Sequence, residues 1–128
     1  MPDKSNKSKP KLTIDALKQL VLNTIDDMKG EDVVELDVRG KTSVTDILII
    51  ASGTSSRHVK SIASNVATEA KKQGNQPLGV EGEGQGEWVL VDLGDIIVHV
   101  MQPQVREFYD LEKLWNFEEQ TDVAAKIN

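Results

Sequence analysis

The sequence predicts a single α/β (α+β) domain in which helices flank a mixed β-sheet of about five strands. Two segments place apolar residues at helical spacing, and five short segments show the apolar runs or the alternation typical of strands. A Gly-Asp pair between the last two strand-like segments indicates a tight hairpin. A chain of 128 residues is long enough for one domain with a buried core.

The first elements are a tail and an amphipathic helix. Residues 1–11 are rich in lysine and poor in apolar residues, which predicts a disordered tail. From Thr13, a candidate N-cap, apolar residues follow helical spacing until Gly30. The predicted buried stripe of this helix is Ile14, Leu17, Val21, Ile25 and Met28.

Two strands and a second helix follow. Residues 34–38 alternate apolar and acidic side chains, as in a half-exposed strand, and the continuous apolar run 47–51 predicts a central strand covered on both faces. Ser55 or Thr54 then caps a helix that ends before Gly74. The predicted buried stripe of this helix is Val59, Ile62, Val66 and Ala70.

A short strand and an acidic loop precede the hairpin. Residues 77–80 are interpreted as the strand, and residues 81–86 alternate glycine with acidic or amide side chains. The glycines do not match a dinucleotide-binding motif, because that motif follows a strand and opens a helix, whereas this segment precedes a strand. We therefore interpret it as a mobile hairpin loop.

The hairpin forms the centre of the predicted sheet. In residues 88–93 one side of the strand is apolar and the other is mixed, because successive side chains point to opposite faces. The apolar run 96–101 follows Gly94-Asp95, and we expect the two strands to pair antiparallel.

A helix is predicted at the carboxyl end of the domain. Pro103 ends the last strand. Phe108, Leu111 and Trp115 recur at helical spacing, so we expect this helix to fold back on the sheet, with Trp115 in the core. The domain would span residues 12–116, and 117–128 would form a disordered or frayed tail.

Composition and charge narrow the range of functions. The chain has no cysteine, no apparent leader and no apolar run of membrane-spanning length, so we expect a cytoplasmic protein that does not enter membranes. The net charge is −6, and residues 81–112 carry eight carboxylates against Arg106 alone. Such a surface attracts basic partners and repels phosphate backbones, so we expect no sequence-specific nucleic-acid binding.

The sequence gives weak support for catalysis. Glu35 and Asp37 lie on the same side of a predicted strand, and carboxylates so spaced can hold divalent ions in a nucleotidyltransferase. Surface strands often alternate charge, however, and no basic cluster for a triphosphate lies nearby in sequence. For His99 we expect a buried, hydrogen-bonded histidine, and for His58 a capping or surface role. We expect neither a metal nor a cofactor.

Three separated blocks resemble the ribosomal silencing factor, or Iojap, family. These are DILIIASGTSSRHV from Asp46, EWVLVDLGDIIVHVM from Glu87 and REFYDLEKLW from Arg106. The resemblance covers roughly residues 12–116. It implies a nucleotidyltransferase-like fold without the enzyme activity.

The resemblance also implies a partner. It suggests binding to the large ribosomal subunit, through the large-subunit ribosomal protein numbered fourteen, and repression of translation by blocking the small subunit. A homodimer of the free chain is a further expectation. The charge of residues 81–112 and an aromatic anchor then suggest a binding face. Its predicted residues are Trp88, Leu90, Asp92, Asp95, Arg106, Glu107, Tyr109 and Asp110.

Overall fold

The computed structural model describes residues 11–113. In chain order these form α1 (Ile14–Asp27), β1 (Glu31–Asp37), β2 (Ile47–Ser52), α2 (Ser56–Lys72), β3 (Gly79–Glu81), β4 (Trp88–Asp92), β5 (Ile96–Met101) and α3 (Pro103–Tyr109). The predicted tails and Trp115 lie outside the described residues, apart from Lys11.

The five strands form one mixed sheet in the order β1-β2-β5-β4-β3. The central strands β2 and β5 are parallel, and every other neighbouring pair is antiparallel. All six residues of β2 are buried, as the apolar run 47–51 predicted. The predicted α/β (α+β) class, with a mixed sheet and flanking helices, is therefore confirmed.

The two long helices begin at the residues that the sequence indicates. The hydroxyl of Thr13 accepts a hydrogen bond from the backbone N–H of Ala16 (3.1 Å). Ser55, rather than Thr54, caps α2 by accepting from the N–H of His58 (3.1 Å). These caps satisfy N–H groups that the first helical turn leaves without partners.

The sheet has two different faces. The helix face packs against α1 and α2, and its side chains include Ile49, Val89, Val91 and Val98, all fully buried. The second face carries the alternate residues of the same strands. We define it by Leu48, Ile50 and Ser52 of β2, Trp88, Leu90 and Asp92 of β4, and Ile97, His99 and Met101 of β5.

The hairpin between β4 and β5 has the predicted two-residue loop. Gly94 has a φ of +87°, which glycine adopts at little cost. The N–H of Leu93 donates to the carbonyl oxygen of Ile96 (2.9 Å), which closes the turn. This turn fixes the register that sends Trp88, Leu90 and Asp92 to the second face.

The prediction for the carboxyl-terminal helix was wrong in one respect. Helix α3 begins at Pro103 and ends at Tyr109, because Asp110 adopts a left-handed conformation with a φ of +49°. The continuous helical face through Leu111 is therefore broken, and Phe108 is 80% exposed instead of packing on the sheet. The sequence pattern gave the spacing but not the left-handed residue that interrupts it.

Candidate protein-binding face

An aromatic cluster, defined as Trp88, Phe108 and Tyr109, lies where α3 meets β4. The Trp88 and Tyr109 ring centroids are 4.9 Å apart with planes tilted by 50°. The Phe108 and Tyr109 rings are 5.0 Å apart and nearly perpendicular. These geometries are favourable for aromatic pairs. With Tyr109 55% exposed and Phe108 80% exposed, the cluster presents apolar surface to solvent.

Arg106 holds α3 over the second face. Its Nε and Nη2 donate to the two carboxylate oxygens of Glu112 (2.8 and 3.1 Å), and its Nη1 donates to Oγ of Ser52 at the end of β2 (2.9 Å). The Arg106 side chain is only 11% exposed. Arg106 was predicted as a partner contact, but its hydrogen bonds are internal. They join α3 to Glu112, which lies beyond the helix break at Asp110, and to Ser52 of the sheet.

The acidic loop closes against the same end of β4. A groove of about 590 Å³ lies between this loop and α3, and Gln85, Glu87, Trp88, Val105 and Tyr109 are among its lining residues. A side chain at Gly82 would collide with the backbone carbonyl oxygen of Trp88. The glycine therefore allows the loop to approach the strand closely enough to form one wall of the groove.

The candidate binding face continues toward the hairpin through three more of the predicted residues, Leu90, Asp92 and Asp95. Leu90 packs against Leu48 and Ile97 of the second face. The carboxylate of Asp92 accepts a hydrogen bond from the N–H of Gly94 (2.9 Å), so it also stabilises the turn. Asp95 is exposed. At about 3.3 Å per residue along a strand, Asp92 lies roughly 13 Å from Trp88.

The predicted binding residues thus lie in two groups, one beside α3 and one at the hairpin between β4 and β5. The structure brings Trp88 and Tyr109 into contact, with Glu107 exposed and Asp110 partly exposed on the same chain segment. Asp92 and Asp95 lie at the hairpin end. Sequence analysis missed the groove residues Gln104 and Val105. Both lie in the first turn of α3, where a helical spacing of four residues from Phe108 and Tyr109 could have placed them.

The two histidines have structural partners, as expected. The Nε1–H of Trp88 donates to Nδ1 of His99 (2.9 Å), and burial lowers the pKa of His99 to about 4. Nδ1 of His58 accepts from the N–H of Thr54 (2.9 Å), and its Nε2 lies 2.7 Å from the carbonyl oxygen of Met28. His58 therefore links the start of α2 to the end of α1.

The alternative site at Glu35 and Asp37 is occupied by local contacts. Glu35 accepts a hydrogen bond from Nζ of Lys18 on α1 (2.9 Å), and this bond raises the pKa of Lys18. Asp37 accepts from the N–H of Arg39 (3.0 Å). Within residues 11–113 no group of three or more His, Cys, Asp or Glu side chains is arranged to hold a metal ion. These contacts do not favour the enzyme hypothesis.

No helix within residues 11–113 is long and apolar enough to cross a membrane.

Comparison with known proteins gives a consistent result. The family described as "Ribosomal silencing factor during starvation" matches residues 11–128. The ribosomal silencing factor of Haemophilus influenzae is 52% identical over 100 residues, covering 78% of this chain and 98% of the relative. A crystal structure from Chromobacterium violaceum has 44% identity and a TM-score of 0.80, covering 82% of this chain and 88% of that one.

A more distant relative comes from mouse. The protein named "Mitochondrial assembly of ribosomal large subunit protein 1" is 32% identical over 101 residues, which cover 77% of this chain and 44% of the relative.

Proposed function

Because the chain belongs to the ribosomal silencing factor family, we propose that it binds the large ribosomal subunit, blocks joining of the small subunit and so represses translation. The family name supports a ribosomal partner, and the name of the mouse relative refers to the large subunit. The partner surface that we propose is the ribosomal protein numbered fourteen. Such a factor would act in the cytoplasm.

The observation that carries the proposal is the exposed aromatic cluster beside acidic side chains. Phe108 and Tyr109 expose much of their surface, while Glu87 lines the adjacent groove and Glu107 is exposed on α3. Exposed aromatic residues of this kind are frequent anchors in protein interfaces. We propose that they supply apolar burial on the ribosomal protein.

Charge complementarity supports a ribosomal protein as the partner. Residues 81–112 have a net charge of −7 from eight carboxylates and one arginine. Proteins bound to ribosomal RNA need basic surfaces, and a basic patch would be drawn to this acidic stretch. The carboxylates would speed association and orient the partner, and the aromatic cluster would hold it.

The contact set that we propose adds Phe108 to the predicted residues, and it keeps as direct contacts Trp88, Leu90, Asp92, Asp95, Glu107, Tyr109 and Asp110. Arg106 has a different principal role, because its bonds to Glu112 and Ser52 hold α3 in place. Replacing Arg106 would therefore weaken binding by displacing Tyr109 from Trp88. We also propose that the free chain forms a homodimer.

Sucrose-gradient sedimentation tests the proposal. Purified protein mixed with separated subunits should comigrate with large subunits, should be absent from joined ribosomes, and should reduce the fraction of joined ribosomes as its concentration rises. The Thr68→Ala variant is a control, because Thr68 is exposed on α2, which packs on the opposite face of the sheet. Equal amounts of protein on joined ribosomes and on large subunits would contradict steric exclusion.

We also infer that the chain acts without catalysis. Its Glu35 carboxylate is engaged by Lys18, and Asp37 is engaged by a backbone N–H. Incubation with each ribonucleoside triphosphate and magnesium or manganese should release no pyrophosphate. Release that the Asp37→Asn variant abolishes would restore the nucleotidyltransferase hypothesis.

A further inference from the structure

His99 is an unusual residue for its position in the sheet. It lies in β5 between Val98 and Val100, is 8% exposed, and is the one titratable side chain classed as buried in residues 11–113. Its cross-strand neighbours on the second face are Leu90 and Ile50. Burying an imidazole among apolar side chains costs folding free energy unless its nitrogens find partners.

The partner of His99 is the indole of Trp88. The two rings lie on diagonal positions of β4 and β5, with centroids 5.8 Å apart. Trp88 Nε1 can only donate a hydrogen bond, so Nδ1 of His99 must carry a free lone pair, and the neutral ring then has its proton on Nε2. The low pKa of His99 keeps this neutral form at physiological pH.

This bond restricts how Trp88 can meet a partner. The indole is fixed by His99 through Nε1 and by Tyr109 through ring contact at 4.9 Å. Because its N–H is used internally, the exposed surface that Trp88 offers is the apolar surface of its ring. Loss of the bond would free the ring to rotate and would leave a polar N–H without its partner.

We propose that His99 is a positioning residue that orients Trp88 for contact with the ribosomal protein, without touching the partner itself. The inference rests on the proposed function, because Trp88 is taken as an interface anchor. It adds a residue that the predicted contact set lacked. A buried side chain thereby contributes to affinity by reducing the conformational freedom that binding must otherwise remove.

The test is a set of full-length variants measured against purified large ribosomal subunits. His99→Leu removes the acceptor at similar size, and His99→Asn is the rescue variant because its amide oxygen replaces Nδ1. His99→Leu should weaken binding about fivefold to tenfold, the effect of one hydrogen bond left unmade, and His99→Asn should stay within about twofold of wild type.

A double-mutant cycle shows whether His99 acts through Trp88. Trp88→Phe retains an aromatic ring but removes the N–H donor, so adding His99→Leu to it should weaken binding no further. In proton NMR spectra the Trp88 indole N–H, assigned by its absence in Trp88→Phe, should exchange faster with solvent in His99→Leu. In His99→Asn it should remain protected. If His99→Leu does not fold, Trp88→Phe removes the same bond from the other side.

The outcomes separate this inference from the proposed function. If Trp88→Ala loses binding while folded His99→Leu and Trp88→Phe bind like wild type, the positioning role is overturned and the proposed function stands. If His99→Leu weakens binding equally with and without Trp88→Phe, His99 acts independently of Trp88 and the inference also fails. Failure of the wild-type chain to bind large subunits would overturn both.

Discussion

The helix face and the second face of the sheet are built from the same strands but contain different chemistry. In β4, Val89 and Val91 point to the helix face and are fully buried, whereas Trp88, Leu90 and Asp92 point to the second face and are partly exposed. The helix face contacts aliphatic residues of α1 and α2. On the second face, the indole N–H of Trp88 donates to Nδ1 of His99, and the carboxylate of Asp92 accepts from the N–H of Gly94.

This difference separates stability from recognition within one strand. Aliphatic side chains on the helix face contribute mainly by burial, at about 25 cal/mol per Å² of apolar surface. Polar and aromatic groups on the second face are held in place by specific bonds, which fix their direction. Substitutions on the two faces should therefore affect different measurements, and the following predictions test that separation in order of decreasing effect.

The largest effect is expected on the helix face. Ile49→Ala removes a fully buried side chain from the central strand β2 and should lower the free energy of unfolding by about 2 to 5 kcal/mol. Urea unfolding measures this change. Below the melting temperature of the variant, its affinity for large subunits should equal that of wild type. Ile49→Val is the matched control, with an expected cost of about 0.5 to 1.5 kcal/mol.

On the second face the main effect should be on binding. Trp88→Ala should weaken binding to large subunits by about 2 to 4 kcal/mol, because aromatic anchors carry much of the energy of an interface. Its effect on unfolding should be smaller than the roughly 3 to 5 kcal/mol of a fully buried tryptophan, since Trp88 is partly exposed. A large fall in the urea midpoint with unchanged affinity would assign Trp88 to the core and remove the distinction between the faces.

The sequence predicted which residues of the strand lie on each face, but it did not predict the hydrogen bonds between side chains on the second face. Alternation along 88–93 and the Gly94-Asp95 pair sufficed for β4 and its hairpin, because side-chain direction in a strand is a local property. The bond between Trp88 and His99 depends on cross-strand register and ring orientation, which no local pattern contains. The same holds for Arg106, whose charge indicated a surface residue although its tertiary contacts leave its side chain only 11% exposed.

The titration of His99 should make the free energy of unfolding depend on pH. Its folded-state pKa of about 4 lies below the unfolded value of about 6.5, so the folded chain binds fewer protons between these pH values. The contribution of neutral His99 to the free energy of unfolding is therefore fully present above pH 6.5. This contribution falls as pH falls toward 4, and about 2 kcal/mol of it is lost between pH 7 and 5.

His99→Leu is the control for that titration. Burial of the imidazole among apolar side chains lowers the pKa of His99. The variant should therefore lose most of the decrease between pH 7 and 5, as measured by urea unfolding at each pH. An unchanged slope in the variant would mean that other groups cause the decrease.

Asp92 and Asp95 differ in what their charges do at the hairpin end. The Asp92 carboxylate accepts from the N–H of Gly94, so Asp92→Lys would lose a turn bond worth about 0.5 to 1.5 kcal/mol along with the charge. Asp92 therefore contributes to the stability of the turn as well as to the charge of the binding face. Asp92→Asn keeps the acceptor oxygen and should preserve the turn while removing the charge.

The smallest effect is therefore expected for Asp95→Lys, which tests charge alone. Asp95 is exposed, and the contacts observed for it use its backbone oxygen, so stability should change by less than about 0.5 kcal/mol. Binding should weaken by about 1 kcal/mol at low salt, mainly through slower association, and the difference should shrink as salt screens the charges. Asp27→Lys on α1 is the matched control, because it makes the same charge change away from the second face. Equal, salt-dependent weakening by both variants would show that net charge attracts the ribosome without regard to the face on which it lies.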